Sequence, residues 1–296
     1  MSTPDDTFGA RLRAAMTTHG PLCVGIDPHA SLLASWGLPD DIGGLETFAM
    51  TCVEAFGGTV AAVKPQSAFF ERFGSAGVAV LERTLAGLRE AGTLSILDAK
   101  RGDIGSTMAG YADAYLGDDS PLRADAMTVS PYLGYGSLRP ALDLAARTGR
   151  GVFVLALTSN PEGASVQHAV ASPAGDGEGG SRSVAAGIVA GAGQDNAAAA
   201  SAGVLGSVGL VVGATVGDAV GNLGIDLAAA NAPLLAPGVG AQGGTAEDLA
   251  RVFGQARPNV LASSSRDVLS AGPNASDLRV RAIQVADELV DSLGLR

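Results

Sequence analysis

Eight short apolar runs recur along the chain, each followed by a longer stretch of helical or loop character. They begin at Leu22 (LCVGID), Thr59 (TVAAVK), Leu94 (LSILDAK), Ala126 (AMTVS), Val152 (VFVLALT), Val208 (VGLVVGAT), Pro233 (PLLAPG) and Asn259 (NVLASS). Continuous apolar runs, unlike alternating ones, belong to parallel strands covered on both faces. The segments between them suit helices. Residues 77–91 (GVAVLERTLAGLREA), for example, carry apolar side chains at three- and four-residue steps and stop at Gly92. Eight βα units in 296 residues predict an α/β fold, a single (β/α)8 TIM barrel spanning 1–296. A doubly wound open sheet is the alternative.

One interval is too long for a bare βα unit, that between the runs at Val152 and Val208. The 160–202 region reads as an insertion after the fifth strand, a loop followed by a helix, the loop being either a surface loop or an active-site lid. Its first part, 160–183, is rich in Gly, Ser and Pro and contains His168. Residues 197–217 carry no charge and place Gly209, Gly213 and Gly217 at GxxxG spacing. They are mostly Ala, Gly and Ser, so they suit a small-residue helix running into a buried strand, not a membrane span.

Composition narrows the function classes. The chain carries 30 acidic and 19 basic side chains, a formal net charge of −11. That balance disfavours nucleic acid, whose binding rests on Lys and Arg neutralising phosphates, and equally an anionic membrane surface. An anionic ligand would need a local positive pocket. The N-terminus is acidic and lacks the apolar core of a secretory signal. Cys23 and Cys52 form neither a metal-ligand spacing nor a disulfide framework. A cytoplasmic location is therefore expected.

The lysines direct attention to one place. Of the 19 basic residues only Lys64 and Lys100 are lysines. Arginine does not release its proton, whereas a lysine ammonium can act as an acid when its neighbours tune it. Each lysine closes an apolar run, and active sites of (β/α)8 barrels are built at the C-terminal strand ends. Those ends here carry Asp27, Lys64, Asp98, Lys100, Ser130, Ser159, Gln242 and Arg266. Strand side chains alternate, so Asp98 and Lys100 are expected on one side, with Asp103 past a turn at Gly102. A lone buried charge is costly. Lys64, Asp98, Lys100 and Asp103, placed alternately, could neutralise one another in a dry pocket.

A second signal is phosphate recognition. Pro237 through Gly244 follows the seventh run, and Ser263-Ser264-Ser265-Arg266 closes the eighth. Glycines admit backbone N–H groups to an anion, and a guanidinium grips it with two donors. Gly238, Gly240 and Gly243 also match GxGxxG. The acid expected about 20 residues further on, which would hold a ribose, is replaced by Ser263, so a dinucleotide site is disfavoured.

With these residues assembled, the chain resembles the orotidine 5′-phosphate decarboxylase family, in its longer bacterial branch. The resemblance runs from about Leu22 to Leu269. It rests on Gly25-Ile26-Asp27-Pro28, Val63-Lys64-Pro65-Gln66, Phe69-Phe70-Glu71, the segment Asp98 to Gly105 (DAKRGDIG), Pro237 to Gly244, and Arg266. It implies cofactor-free, metal-free decarboxylation of orotidine 5′-monophosphate to uridine 5′-monophosphate, the last step of de novo pyrimidine synthesis. Lys64, Asp98, Lys100 and Asp103 would form a charged tetrad, with Lys100 protonating the C6 carbanion and Asp98 beside the departing carboxylate. Asp27 and Thr107 would bind ribose, Ser159 the pyrimidine, and Gln242 and Arg266 the phosphate. The resemblance further implies a homodimer in which Asp103 and Thr107 are contributed across the interface. Compared with compact family members, the chain adds its N-terminal segment, the 160–202 region and the Ser130-Pro131-Tyr132 turn. Two readings compete: a magnesium-dependent sugar-phosphate decarboxylase or aldolase on the same barrel, and a non-catalytic phosphate-ligand-binding barrel.

Overall fold

The computed structural model describes residues 6–171, 181–239 and 244–296. All eight apolar runs are parallel strands of one closed barrel. They are β1 (Leu22–Ile26), β2 (Ala62–Pro65), β3 (Leu94–Arg101), β4 (Ala126–Val129) and β5 (Gly151–Leu157), then β8 (Val208–Val212), β9 (Leu234–Pro237) and β10 (Val260–Ser264). β10 pairs with β1, with Leu22 opposite Ala262, and closes the cylinder. A separate two-residue hairpin, β6 (Val170–Ala171) with β7 (Arg182–Ser183), lies outside it.

The barrel has two apolar layers. Outward-facing strand residues such as Val24, Val63, Leu97 and Val154 pack under the surrounding helices with Phe48, Phe56, Phe70 and Leu289. Inward-facing Cys23, Ile96, Phe153, Val211 and Leu261 fill the lumen. The N-terminal segment explains how that lumen is sealed. Helix Phe8–His19 lies across the floor and buries Phe8, Leu12 and Met16 with the inward set. Phe8 meets Phe153 edge-on, with ring centroids 5.8 Å apart. Gly151 leaves room for the Phe8 ring, since a Cβ there would come within 2.3 Å of it. Arg11 pairs with Asp125 at 2.6 Å, and Asp125 in turn accepts the Ser95 backbone N–H at 3.0 Å. The floor of the lumen is thus closed and pinned.

The long interval between β5 and β8 resolves into two parts. Helix Val184–Asp195 packs on both strands and is the ordinary crossover helix of a βαβ unit. It is fixed by Asp195, which accepts two hydrogen bonds from Arg139 at 2.8 and 2.6 Å. The additional chain is therefore 160–183, which holds the short helix Ala164–Gln167 and the β6–β7 hairpin. His168 caps that short helix. The uncharged 197–217 stretch is the helix Ala197–Ser201 leading into β8. Among the described residues no helix is long and apolar enough to cross a membrane. Both cysteines are buried and free.

Phe8→Ala should empty the seal of the lumen. The expected loss is about 3–5 kcal/mol of unfolding free energy, the range for a buried phenylalanine, read from urea denaturation. A loss below about 1 kcal/mol would show that the helix does not plug the barrel.

Candidate active site

The C-terminal ends of β1, β2, β3, β4, β5, β9 and β10 converge on a cavity of about 300 Å³. Asp27, Lys64, Asp98, Lys100, Thr128, Thr158, Ser263 to Asp267 and the Pro237–Val239 turn line it.

At its centre is the Asp98 carboxylate, buried on β3. Lys64 reaches it from β2, Nζ to Oδ2 2.7 Å, and Lys100 from beyond it on β3, Nζ to Oδ1 2.6 Å. The Thr128 hydroxyl, from β4, donates to Oδ1 at 2.9 Å. One carboxylate thus carries two ammonium partners and a hydroxyl. Burial alone would push the Asp98 carboxyl up, but the charges of Lys64 and Lys100 and their hydrogen bonds prevail and hold it lowered, at about 2. Burial likewise opposes charge on Lys64, yet Asp98 and Asp27 outweigh it and hold the ammonium above its ordinary range. Cys23, deeper in the lumen, is pushed up to about 12 by burial and stays a thiol. Exposure separates the two lysines. The Lys64 side chain is 9% exposed and that of Lys100 45%.

Strand alternation does not by itself account for Lys100. Between Leu97 and Arg101 the β3–β4 register shifts, so that β3 advances four residues while β4 advances two, from Met127 to Val129. Within this bulge Lys100 adopts a left-handed backbone, φ 47°. A non-glycine residue there costs on the order of 1–3 kcal/mol and persists only where its surroundings over-determine it. The next two residues supply part of that anchoring. The Arg101 guanidinium bonds Glu71 and the Tyr115 hydroxyl and lies near the rings of Tyr111 and Tyr115, while its carbonyl accepts the Ser130 N–H at 2.8 Å. Gly102 acts by close approach, not by a special turn, since a Cβ would lie 2.3 Å from the Ser130 carbonyl oxygen.

The remaining expected residues divide. Asp27 lies at the mouth of β1 and lines the cavity, with Oδ1 buried and without a hydrogen-bond partner. Gly25 makes room beside it, because a Cβ would meet Ser265 Oγ at 2.0 Å. Arg266 lines the cavity next to Ser263, Ser264 and Ser265. Gln242 lies outside the described residues. Of the described residues on either side of it, Gly244 donates its N–H to the Gly238 carbonyl at 3.1 Å. Asp103 stands apart from the other three tetrad members within the chain. It is half-buried and its carboxylate accepts the Ile104 N–H at 2.8 Å. Thr107 is exposed on the first turn of helix Gly105–Leu116. Ser159 is exposed and its neighbour Thr158 lines the cavity instead. Polar lining residues that escaped the sequence reading include Thr128, Thr158, Asp267 and His29, whose ring meets Phe69 edge-on at 4.2 Å. Thr128 sits mid-run on β4, where nothing in the pattern distinguishes it from a core threonine.

A closed parallel barrel with a caged carboxylate–lysine array at its mouth is the architecture of a (β/α)8-barrel enzyme. Comparison with known proteins narrows this to one family. Residues 20–279 match the model of the Orotidine 5′-phosphate decarboxylase / HUMPS family, and the chain belongs to that family, in its actinobacterial branch. It is 60% identical over 285 residues to the orotidine 5′-phosphate decarboxylase of Streptomyces coelicolor, covering 96% of this chain and 97% of that one. It is 61% identical over 280 residues to that of Salinispora arenicola, covering 95% and 96%. Among solved structures, the OMP decarboxylase of Leishmania donovani superposes with a TM-score of 0.72 at 29% identity, covering 97% of this chain and 99% of that one. A Streptomyces avermitilis structure with the same assignment reaches 0.90 at 58%, covering 99% and 98%.

The Asp98 pairing should appear in the acid limb of stability. An unfolded aspartate titrates near 3.8 and the folded one near 2, so the contribution is complete above about pH 4 and fades as pH falls toward 2. The stability difference between the wild type and Asp98→Asn, from denaturation at pH 2–5, should shrink across that window. A difference constant over it would contradict the pairing.

Proposed function

We propose that the chain decarboxylates orotidine 5′-monophosphate to uridine 5′-monophosphate through its own side chains, with Lys100 as the acid. The observation that carries this reading is the Lys64–Asp98–Lys100 array, one carboxylate held ionised between two ammonium groups. The C6–carboxylate bond breaks, CO₂ leaves, and the electron pair remains on C6. A fixed ammonium beside C6 stabilises that charge without reorganisation and then donates its proton. Lys100 suits the role because its half-exposed side chain can recover a proton from water. Buried Lys64 is the permanent cation that keeps Asp98 charged. Asp98 would lie against the substrate carboxylate, so that repulsion is relieved as CO₂ departs.

The rest of the cavity supplies binding. The unpartnered Oδ1 of Asp27 matches a ribose hydroxyl donor. Arg266 and the neighbouring serines match the phosphate, with Gln242 as a further phosphate ligand and Ser159 as the pyrimidine contact once ligand is bound. Phosphate binding lies away from the bond broken, so its energy serves orientation and closure. The named relatives favour the decarboxylase over the magnesium-dependent alternative, and removal of metal separates the two by experiment.

A homodimer completes the tetrad in this reading. Asp103 and Thr107 do not line their own cavity; Ile104 (62%) is exposed between them, and Tyr132 (79%) and Leu133 (53%) are exposed after β4. Gly102 and Ser130 hold the two segments together, and an apolar rim of this kind suits a second copy of the chain. Asp103 of each copy would then serve the partner's site. The location proposed is cytoplasmic.

Purified protein should consume orotidine 5′-monophosphate at the same rate with and without EDTA, followed by absorbance; a rate abolished by EDTA would favour the metal-dependent reading. Lys100→Ala should remove turnover while the fold survives, and wild-type turnover in that variant would refute Lys100 as the acid. Mixing Lys100→Ala with Asp103→Ala subunits should restore part of the activity, and an absence of rescue would confine each site to one chain.

A further inference from the structure

One buried hydroxyl at the site has no role in the chemistry above. Thr128 is 1% exposed, and its Oγ1 makes two contacts at once. It accepts the backbone N–H of Lys100 at 3.0 Å and donates its single proton to Asp98 Oδ1 at 2.9 Å. The first contact is the unusual one. The bulge withdraws the Lys100 N–H from the β3–β4 ladder, and a buried N–H without a partner is costly. Thr128 supplies that partner from the strand the ladder bond has left. The residue whose N–H it holds is the one with the left-handed backbone, φ 47°.

We infer that Thr128 is a positioning residue for the proton donor, coupling the strained backbone of Lys100 to the orientation of the Asp98 carboxylate. The inference rests on the reading of Lys100 as the acid. The three groups form a closed ring: Lys100 N–H to Thr128 Oγ1, Thr128 O–H to Asp98 Oδ1, and Asp98 Oδ1 to Lys100 Nζ at 2.6 Å. Main chain and ammonium of one lysine are thus fixed to the same carboxylate oxygen, one through the hydroxyl and one directly. Removing the hydroxyl leaves the ammonium–carboxylate contact possible but frees the backbone to leave its left-handed conformation, which swings the start of the side chain. Misplacement of a reacting group by about 1 Å can cost on the order of a hundredfold in rate. The ribose and phosphate groups, Asp27 and Arg266, lie outside this ring, so ligand affinity should be spared.

The test compares wild type, Thr128→Val, Thr128→Ala and Thr128→Ser in orotidine 5′-monophosphate turnover, uridine 5′-monophosphate binding and thermal melting. Valine keeps the shape without the hydroxyl, alanine removes it without crowding should valine fail to fold, and serine restores it. The expected result is a kcat lowered tenfold or more in the valine and alanine variants, with uridine 5′-monophosphate affinity within threefold of wild type, and kcat within threefold of wild type in the serine variant. Wild-type kcat in the valine or alanine variant would overturn the inference. So would a serine variant as impaired as valine, which would assign the effect to the methyl group, or affinity falling in step with kcat. A wild-type protein that does not consume the substrate would instead overturn the functional reading beneath it.

Discussion

Everything at the mouth of this barrel is arranged around one carboxylate. Asp98 is buried where a lone charge would be intolerable, and it is kept ionised by two ammonium groups, one of which, Lys64, is itself buried. Neither half of that cluster is stable without the other. The arrangement is paid for by the fold, through a sealed floor, a rigid parallel sheet and a register shift in β3 that turns Lys100 back toward the strand it came from. In exchange the charges are already in place before any ligand arrives, which is the condition for electrostatic stabilisation of a short-lived anion.

The two lysines illustrate how environment divides labour between identical side chains. Lys64 is enclosed and held above its ordinary range by Asp98 and Asp27, so it does not give up its proton in a working range of pH. Lys100 shares the same carboxylate but keeps nearly half of its side chain open. One is an anchor for charge, and the other is the group that the proposed function assigns as a proton donor, since solvent can reach it. The second acid of the expected tetrad, Asp103, accepts a hydrogen bond from the neighbouring Ile104 N–H and does not line the cavity that the other three share.

Much of this was legible in the sequence. The eight apolar runs gave all eight barrel strands, because continuous burial leaves a signature that needs no tertiary knowledge. The scarcity of lysine singled out Lys64 and Lys100, and the polar residues ending apolar runs led to Asp27, Asp98 and Arg266. What was hidden depends on three-dimensional accidents of the chain. Alternation places Asp98 and Lys100 on one side, but the bulge and the left-handed Lys100 follow from pairing with β4 and have no local sequence mark. Gly102 read as a turn residue, whereas it is needed for contact with Ser130. Thr128 looked like any β-branched residue in a strand. The interval after β5 appeared to be one long insertion, although the crossover helix Val184–Asp195 occupies its second half, because Ala- and Gly-rich helices carry a weak apolar stripe.

The claim that Lys100 delivers a proton to a ring carbon can be tested without decarboxylation. By microscopic reversibility, the group that protonates the C6 anion also removes that proton from the product. Uridine 5′-monophosphate incubated with the protein in D₂O should lose its C6 proton signal by NMR, faster than in buffer alone. Lys100→Ala, still able to bind the nucleotide, should leave the signal at the buffer rate. Exchange undiminished in that variant, or none with the wild type, would contradict the account.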